Sequence, residues 1–285
     1  MQELVELVLT HRPDILFLGD LVTTCHQIGR LKRKSEAALN DEWFVTTNIS
    51  ASPGRPVGMG AVIYCSLATH MTDCIVSPPS GSDGAAAVEG RILDIKVSRP
   101  GSPHTWHFIG VYQHVARSAN KQARILLRES LHSIVDRARK DMHQVVILGD
   151  FNAAPPGGRW GYSRWSTVFK EDSLMEDWVQ ASAMTEISLS GGLSPTWKSS
   201  AGMQMAVLDR IFVTREDARS MGLSVHWCQP LIVFDHAFLL LRIHQSLAGS
   251  GYAGACRPDR IHSPHSRCQV NLTQWKQHLL LWPPL

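Results

Sequence analysis

The 285-residue chain carries 44% hydrophobic and 19% charged residues. That ordinary globular balance excludes disorder over most of the length and suffices for one large α/β domain or two small ones. A formal charge of +3 with a pI near 8.6 is too mild to establish a polyanionic partner and does not oppose one.

Gln2 to His11 places Leu4, Val5, Val8 and Leu9 at helical spacing, and Arg12-Pro13 ends that helix because proline disfavours a helical residue before it. Glu3 and Glu6 among these apolar residues are unlike a secretory signal, and no uncharged apolar run has the length of a membrane span. Ile15-Leu16-Phe17-Leu18 is an apolar run between an Asp and a Gly, too short for a helix, and predicts a buried strand. The basic cluster Gly29 to Lys34 reads as a solvated face, with phosphate contact or nuclear import as alternatives. Further strands are predicted at Gly60 to Tyr64, Arg91 to Val97 and Trp106 to Tyr112. Asn120 to Lys140 keeps Ile125, Leu126, Leu131, Ile134, Val135 and Ala138 on one stripe and predicts an amphipathic helix. Val145 to Leu148 is a strand running into Gly149-Asp150, and Val207 to Val213 and Leu239 to Ile243 complete the set. Trp160, Trp165 and Trp178 are read as packing residues rather than base-stacking platforms.

After Ser246 the composition turns to Gly, Ala, Ser and Pro, so the domain is placed at 1–245 and a linker with a poorly ordered tail at 246–285. Cys256, His262, His265 and Cys268 match no common zinc spacing and read as solvated tail. The 6 cysteines contain no C-x-x-C pair and suggest reduced thiols in an intracellular compartment.

The chemistry-bearing residues cluster in three places. Gly149-Asp150-Phe151-Asn152 delivers a carboxylate and an amide at the end of a strand, and extended geometry would set both on one side. The Asp would hold a metal or take a proton from water, and the Asn would donate to a phosphate oxygen; turn hydrogen bonds are the alternative. Asp235-His236 precedes an apolar strand and would supply a metal carboxylate and a phosphate-facing imidazole, although such a pair is often structural. Asp209 interrupts a strand on the face of Ile211 and Val213, where a carboxylate needs a partner, and His236 is a natural one.

In this order, with Ser194-Pro195-Thr196-Trp197 and Leu208-Asp209-Arg210-Ile211 between the first and last motifs, the chain resembles the endonuclease/exonuclease/phosphatase superfamily. Within that group it is similar to the endonuclease domains of non-LTR retrotransposons. Pro13 to Leu18, Gly58 to Val62 and Gly110-Val111-Tyr112 resemble the family's upstream strands, and the likeness covers residues 1–245. The resemblance implies an α/β four-layer sandwich, two mixed β-sheets packed face to face with helices outside and the site at one edge. It implies Mg²⁺- or Mn²⁺-dependent phosphodiester hydrolysis on DNA, by a monomer that does not engage membranes, with nuclear location as one option. By position, Asp150 would activate the attacking water, Asn152 and Tyr112 would contact the scissile phosphate, and Arg117 would reach a substrate phosphate. His236, oriented by Asp209, would stabilise charge on the phosphoryl oxygens. Asp20 and Asp235 would hold the metal. The sequence departs from the family at Asp20, where a Glu is usual, and at Gln113-His114, where a proline is usual. The family's first strand, ahead of the opening helix, has no counterpart, so the resemblance implies an exposed edge at the Leu16 to Leu18 strand and weakened activity. An inositol-phosphate phosphatase and a catalytically impaired remnant are the competing readings.

Overall fold

The computed structural model describes residues 2–19, 33, 37, 43–49, 58–64, 71–73, 88–98, 104–163, 168–188, 192–220, 222–228, 236, 238–244 and 267–274. Helix α1 (Gln2–His11) turns at Arg12, which has a φ of 43°, into β1 (Ile15–Gly19). Then come β2 (Trp43–Ile49), β3 (Gly58–Tyr64), β4 (Met71–Asp73), β5 (Ile92–Ser98) and β6 (Thr105–Tyr112). Helix α2 (Lys121–Lys140) crosses over to β7 (Gln144–Asp150), followed by β8 (Arg159–Trp160), α3 (Val168–Ala181) and β9 (Met184–Glu186). The chain continues through β10 (Trp197–Lys198), β11 (Met205–Ala206), β12 (Asp209–Thr214), α4 (Arg215–Ser220), β13 (Gly222–Cys228), β14 (Phe238–His244) and β15 (Arg267–Gln274).

Among the described residues the strands form two six-stranded sheets, one ordered β13-β14-β15-β1-β3-β2 and the other β4-β5-β6-β7-β12-β9, with a three-stranded β10-β11-β8 sheet. Each large sheet is mixed: β1 runs parallel to β15, and β6 runs parallel to β7 across the α2 crossover. Alternation along the strands sorts the side chains into two faces. Ile15, Phe17, Met59, Ala61, Leu239 and Leu241 of the first sheet meet Leu93, Phe108, Val146, Leu148, Ile211 and Val213 of the second in one continuous core. Gly110 permits that approach, because a Cβ there would sit 2.3 Å from the Phe17 ring. The opposite face of the second sheet is covered by α2 and α3 through Ile109, Ile147 and Phe212 against Leu127, Leu131, Val135, Met175 and Val179. Leu16, Leu18, Val45 and Val62 are buried on the other face of the first sheet, and Leu7 and Val8 of α1 are buried too. This is the sandwich with outer helices that the sequence resemblance implied.

Helix α2 buries residues 124, 127, 128, 131, 135 and 138 on one stripe. It ends with Met142 at φ 57°, with His143 N–H donating to Ala138 O at 2.8 Å and Met142 N–H to Arg139 O at 3.0 Å. That six-to-one and five-to-two pairing closes the last turn. Trp178 packs as expected and donates its indole N–H to Arg128 O at 2.9 Å. Trp165 lies outside the described residues, and so does the basic 29–34 cluster apart from Arg33, which is helical and exposed. No helix among the described residues is long and apolar enough to cross a membrane.

Two expectations need correction. Residues 267–274 form β15, so the sheet continues beyond the boundary read at 245. The signal was an alternation, Cys268, Val270 and Leu272 against Gln269, Asn271 and Thr273, embedded in a Pro- and Gly-rich context that masked it. Because β15 lies between β14 and β1, β1 is hydrogen-bonded on both sides, to β15 and to β3, and the exposed edge expected there does not arise. Cys256, His262 and His265 lie outside the described residues.

Candidate active site

Three side chains stand in a row at one edge of the second sheet. Tyr112 ends β6, Asp150 ends β7 and Asp209 begins β12, and the register pairs Tyr112 with Asp150 and Asp150 with Asp209. Directly opposed residues carry Cβ atoms about 4.5–5.5 Å apart on one face. That face is the inter-sheet one, since Tyr112, Leu148 and Ile211 belong to the central core. The row therefore closes the end of the inter-sheet layer, with Asp150 3% and Asp209 1% exposed. Gly149 allows β7 to lie this close to β6, because a Cβ on it would sit 1.9 Å from Val111 O.

Asp150 and Asn152 come together by a turn and not by strand alternation. Asn152 has a φ of 46°, its N–H donates to Asp150 Oδ1 at 2.7 Å, and its Nδ2 donates to Asp150 Oδ2 at 3.0 Å and to Gln113 O at 2.8 Å. The expectation of extended geometry fails here because β7 ends at Asp150, and Asn tolerates the left-handed conformation better than most residues. The loops after β6 and β7 are tied again by Gln113 N–H donating to Asp150 O at 2.7 Å.

His236 arrives from the first sheet, two residues ahead of β14, and bridges to Trp197 of β10. Its Nδ1 lies 2.7 Å from Asp209 Oδ2, with the side chains 3% and 1% exposed. An ionised carboxylate only accepts, so Nδ1 donates and Nε2 is turned away from Asp209. Thr196 holds the start of β12, its Oγ1 accepting the N–H groups of Leu208 and Asp209, both at 2.9 Å. Asp209 Oδ1 is buried without a hydrogen-bond partner among the described residues.

Tyr112, Asp150, Asn152, Asp209 and His236 are thus brought together. Arg117 is exposed on the loop five residues past Tyr112, outside this hydrogen-bonded set. Asp20 and Asp235 lie outside the described residues, and among those described no three His, Cys, Asp or Glu side chains form a metal-binding group.

Sequence reasoning missed several supporting residues. Arg91 donates to Tyr112 O at 3.2 Å and lies over the Tyr112 ring at 4.9 Å. Arg124 of α2, completely buried, pairs with Glu171 at 2.7 Å and donates to the carbonyls of His114 and Phe151. Burial pulls the Arg124 guanidinium below its ordinary value, opposed by the hydrogen bond and charge of Glu171 and by the charge of Asp150. Arg210, on the helix side of β12, pairs with Glu186 at 2.6 Å and Glu176 at 2.7 Å. Burial alone would lower its pKa, but the two glutamates outweigh that and raise it. The signal for both arginines was a charge on a stripe or face that is otherwise apolar.

The model of the Endonuclease/Exonuclease/phosphatase family matches residues 1–232. A search of curated protein sequences gives no match. Among solved structures, the 3'-5' exonuclease NExo of Neisseria meningitidis superposes with a TM-score of 0.62 at 18% identity, covering 83% of this chain and 91% of that one. A Neisseria 3' phosphatase NExo variant bound to a product DNA hairpin gives 0.61 at 19% identity, covering 83% and 91%. The AP endonuclease LMAP of Leishmania major gives 0.66 at 18% identity, covering 83% and 80%.

Proposed function

Because the chain belongs to the Endonuclease/Exonuclease/phosphatase family, we propose that it is a divalent-metal-dependent phosphodiesterase that cuts DNA as an endonuclease of the retrotransposon type. The observation that carries this reading is the Tyr112–Asp150–Asp209 row with His236 hydrogen-bonded to Asp209 at 2.7 Å. The fold likeness to a phosphatase bound to a DNA hairpin supports DNA as the substrate class.

In this reading Asp150 takes the proton of the attacking water, held in place by its contacts to Asn152. Tyr112, the register partner of Asp150 on β6, and Asn152 contact the scissile phosphate. Both N–H bonds of the Asn152 amide are committed to Asp150 and Gln113, so a phosphate oxygen would displace one of them. His236, fixed by Asp209, directs Nε2 at the charge developing on the phosphoryl oxygens. Arg117 is an outlying phosphate contact. Asp20 directly follows the end of β1, and Asp235 directly precedes His236 and the start of β14. The pairing of both strands with β15 brings those two strand ends to one edge of the first sheet. Asp carboxylates are the hard oxygen donors that Mg²⁺ or Mn²⁺ takes. A bound ion of this kind would polarise the phosphate and neutralise the leaving oxygen.

The test is nicking of supercoiled plasmid with Mg²⁺, with EDTA, and with Asp150→Ala alongside. Metal-dependent nicking that Asp150→Ala abolishes is the expected result. Nicking that survives EDTA, or an Asp150→Ala variant as active as the native chain, sinks the reading.

A further inference from the structure

Resting on this reading of the site, we propose that Arg124 is a positioning residue of the reaction, a buried clamp that sets the β6 and β7 loops against each other. The two loops carry Tyr112-Gln113-His114 and Asp150-Phe151-Asn152, and neither is regular structure beyond its first residue. They are tied by Gln113 N–H donating to Asp150 O and Asn152 Nδ2 donating to Gln113 O. Arg124 adds a tie from a different element. Its Nη1 donates to His114 O, two residues past Tyr112, and its Nη2 reaches Phe151 O, between Asp150 and Asn152, at 3.5 Å, so one planar guanidinium spans both loops.

A guanidinium suits this task because it presents several donors in a rigid fork. Its third side is anchored by Nε on Glu171 of α3, which also meets Arg128 at 3.5 Å. The loops are thereby referenced to both outer helices. Because Arg124 is 0% exposed, it does not touch substrate. Its effect passes through loop geometry, and the mutual attraction between its charge and that of Asp150 acts in the same direction. His114 contributes to the arrangement, since its own N–H is held by Gln113 Oε1 at 3.0 Å, leaving its carbonyl turned to Arg124.

Removing Arg124 also leaves Glu171 with the longer 3.5 Å pair to Arg128, so stability and positioning must be separated. The experiment compares the native 285-residue chain with Arg124→Met, Arg124→Lys and the double variant Arg124→Met/Glu171→Gln. Arg124→Met is expected to lower both melting temperature and turnover. In the double variant the neutral Gln still serves Arg128, so melting temperature recovers while kcat for plasmid nicking stays about 10²-fold down, the scale of an ångström misplacement. KM is unchanged, and Arg124→Lys, which keeps charge but loses the fork, restores kcat only in part. Amide hydrogen exchange at Gln113 and Asn152 is read on the same proteins without substrate, and both amides are expected to exchange faster in the double variant. Recovery of kcat together with melting temperature, native kcat in Arg124→Lys, or native exchange at both amides in the double variant overturns the proposal. A native chain that does not nick DNA defeats the nuclease reading alone, and the exchange measurement still decides the role of Arg124.

Discussion

Gly149→Ala would test the close approach on which the site row depends. A Cβ at position 149 would lie 1.9 Å from Val111 O and 2.8 Å from Val111 N, whereas real Cβ contacts below 3.0 Å essentially do not occur. The obstacle is backbone of the β6–β7 parallel pair, one register step before its end, so no side-chain rotation relieves it, and the strands must part by about 1 Å. Overpacking of this kind costs about 1–3 kcal/mol. For a domain of this size each kcal/mol moves the melting temperature by about 2–4 °C, which gives a fall of roughly 2–12 °C. The same displacement falls on the next register pair, Tyr112 with Asp150. A misplacement of that scale lowers kcat on the order of 10²-fold. Thermal melts followed by circular dichroism and plasmid nicking on the same preparation read both effects. An unchanged melting temperature with native turnover would refute the argument that glycine is required by contact with β6.

Asp209→Asn keeps the size of the side chain but removes the anionic acceptor of His236, and turnover should fall about 10²–10⁴-fold with little change in melting temperature; native kinetics would show the pair to be structural only. Truncation after residue 245 removes β15 from between β14 and β1, so the protein should lose its cooperative melt or its solubility; a 1–245 chain that melts like the full chain contradicts this. His143 is pushed below its ordinary value of 6.5 by burial and by neighbouring His107 and Lys96, so the unfolded chain binds more protons just below that pH. Stability should therefore rise as pH climbs through the window below 6.5, and urea denaturation of His143→Gln should show a flatter slope there than the native chain.

Much of the fold could be read from local pattern. The run Ile15 to Leu18 between breakers, the stripe of α2 and the four apolar residues before Gly149 each declare an element, because burial selects apolar residues at the period of the backbone. Asp209 could be read as a site residue because a carboxylate on the face of Ile211 and Val213 demands a partner. By itself the sequence thus determined the α/β class and several of the elements and supplied an expectation of which side chains react, while β2, α3, β13 and β15 escaped it. It did not determine their pairing. That Tyr112, Asp150 and Asp209 share one row depends on the register of β6, β7 and β12, set by contacts among residues far apart in the chain. The Asn152 turn, the Thr196 clasp on β12 and the Arg124 fork are hydrogen bonds to backbone groups, and a backbone carbonyl carries no sequence signature. For β15 the strand pattern was weak and its two neighbours, β14 and β1, were made available only by the rest of the sheet. Tertiary structure decided these features because hydrogen bonding and close packing act over a few ångströms, and only the completed fold brings such distant residues within that range.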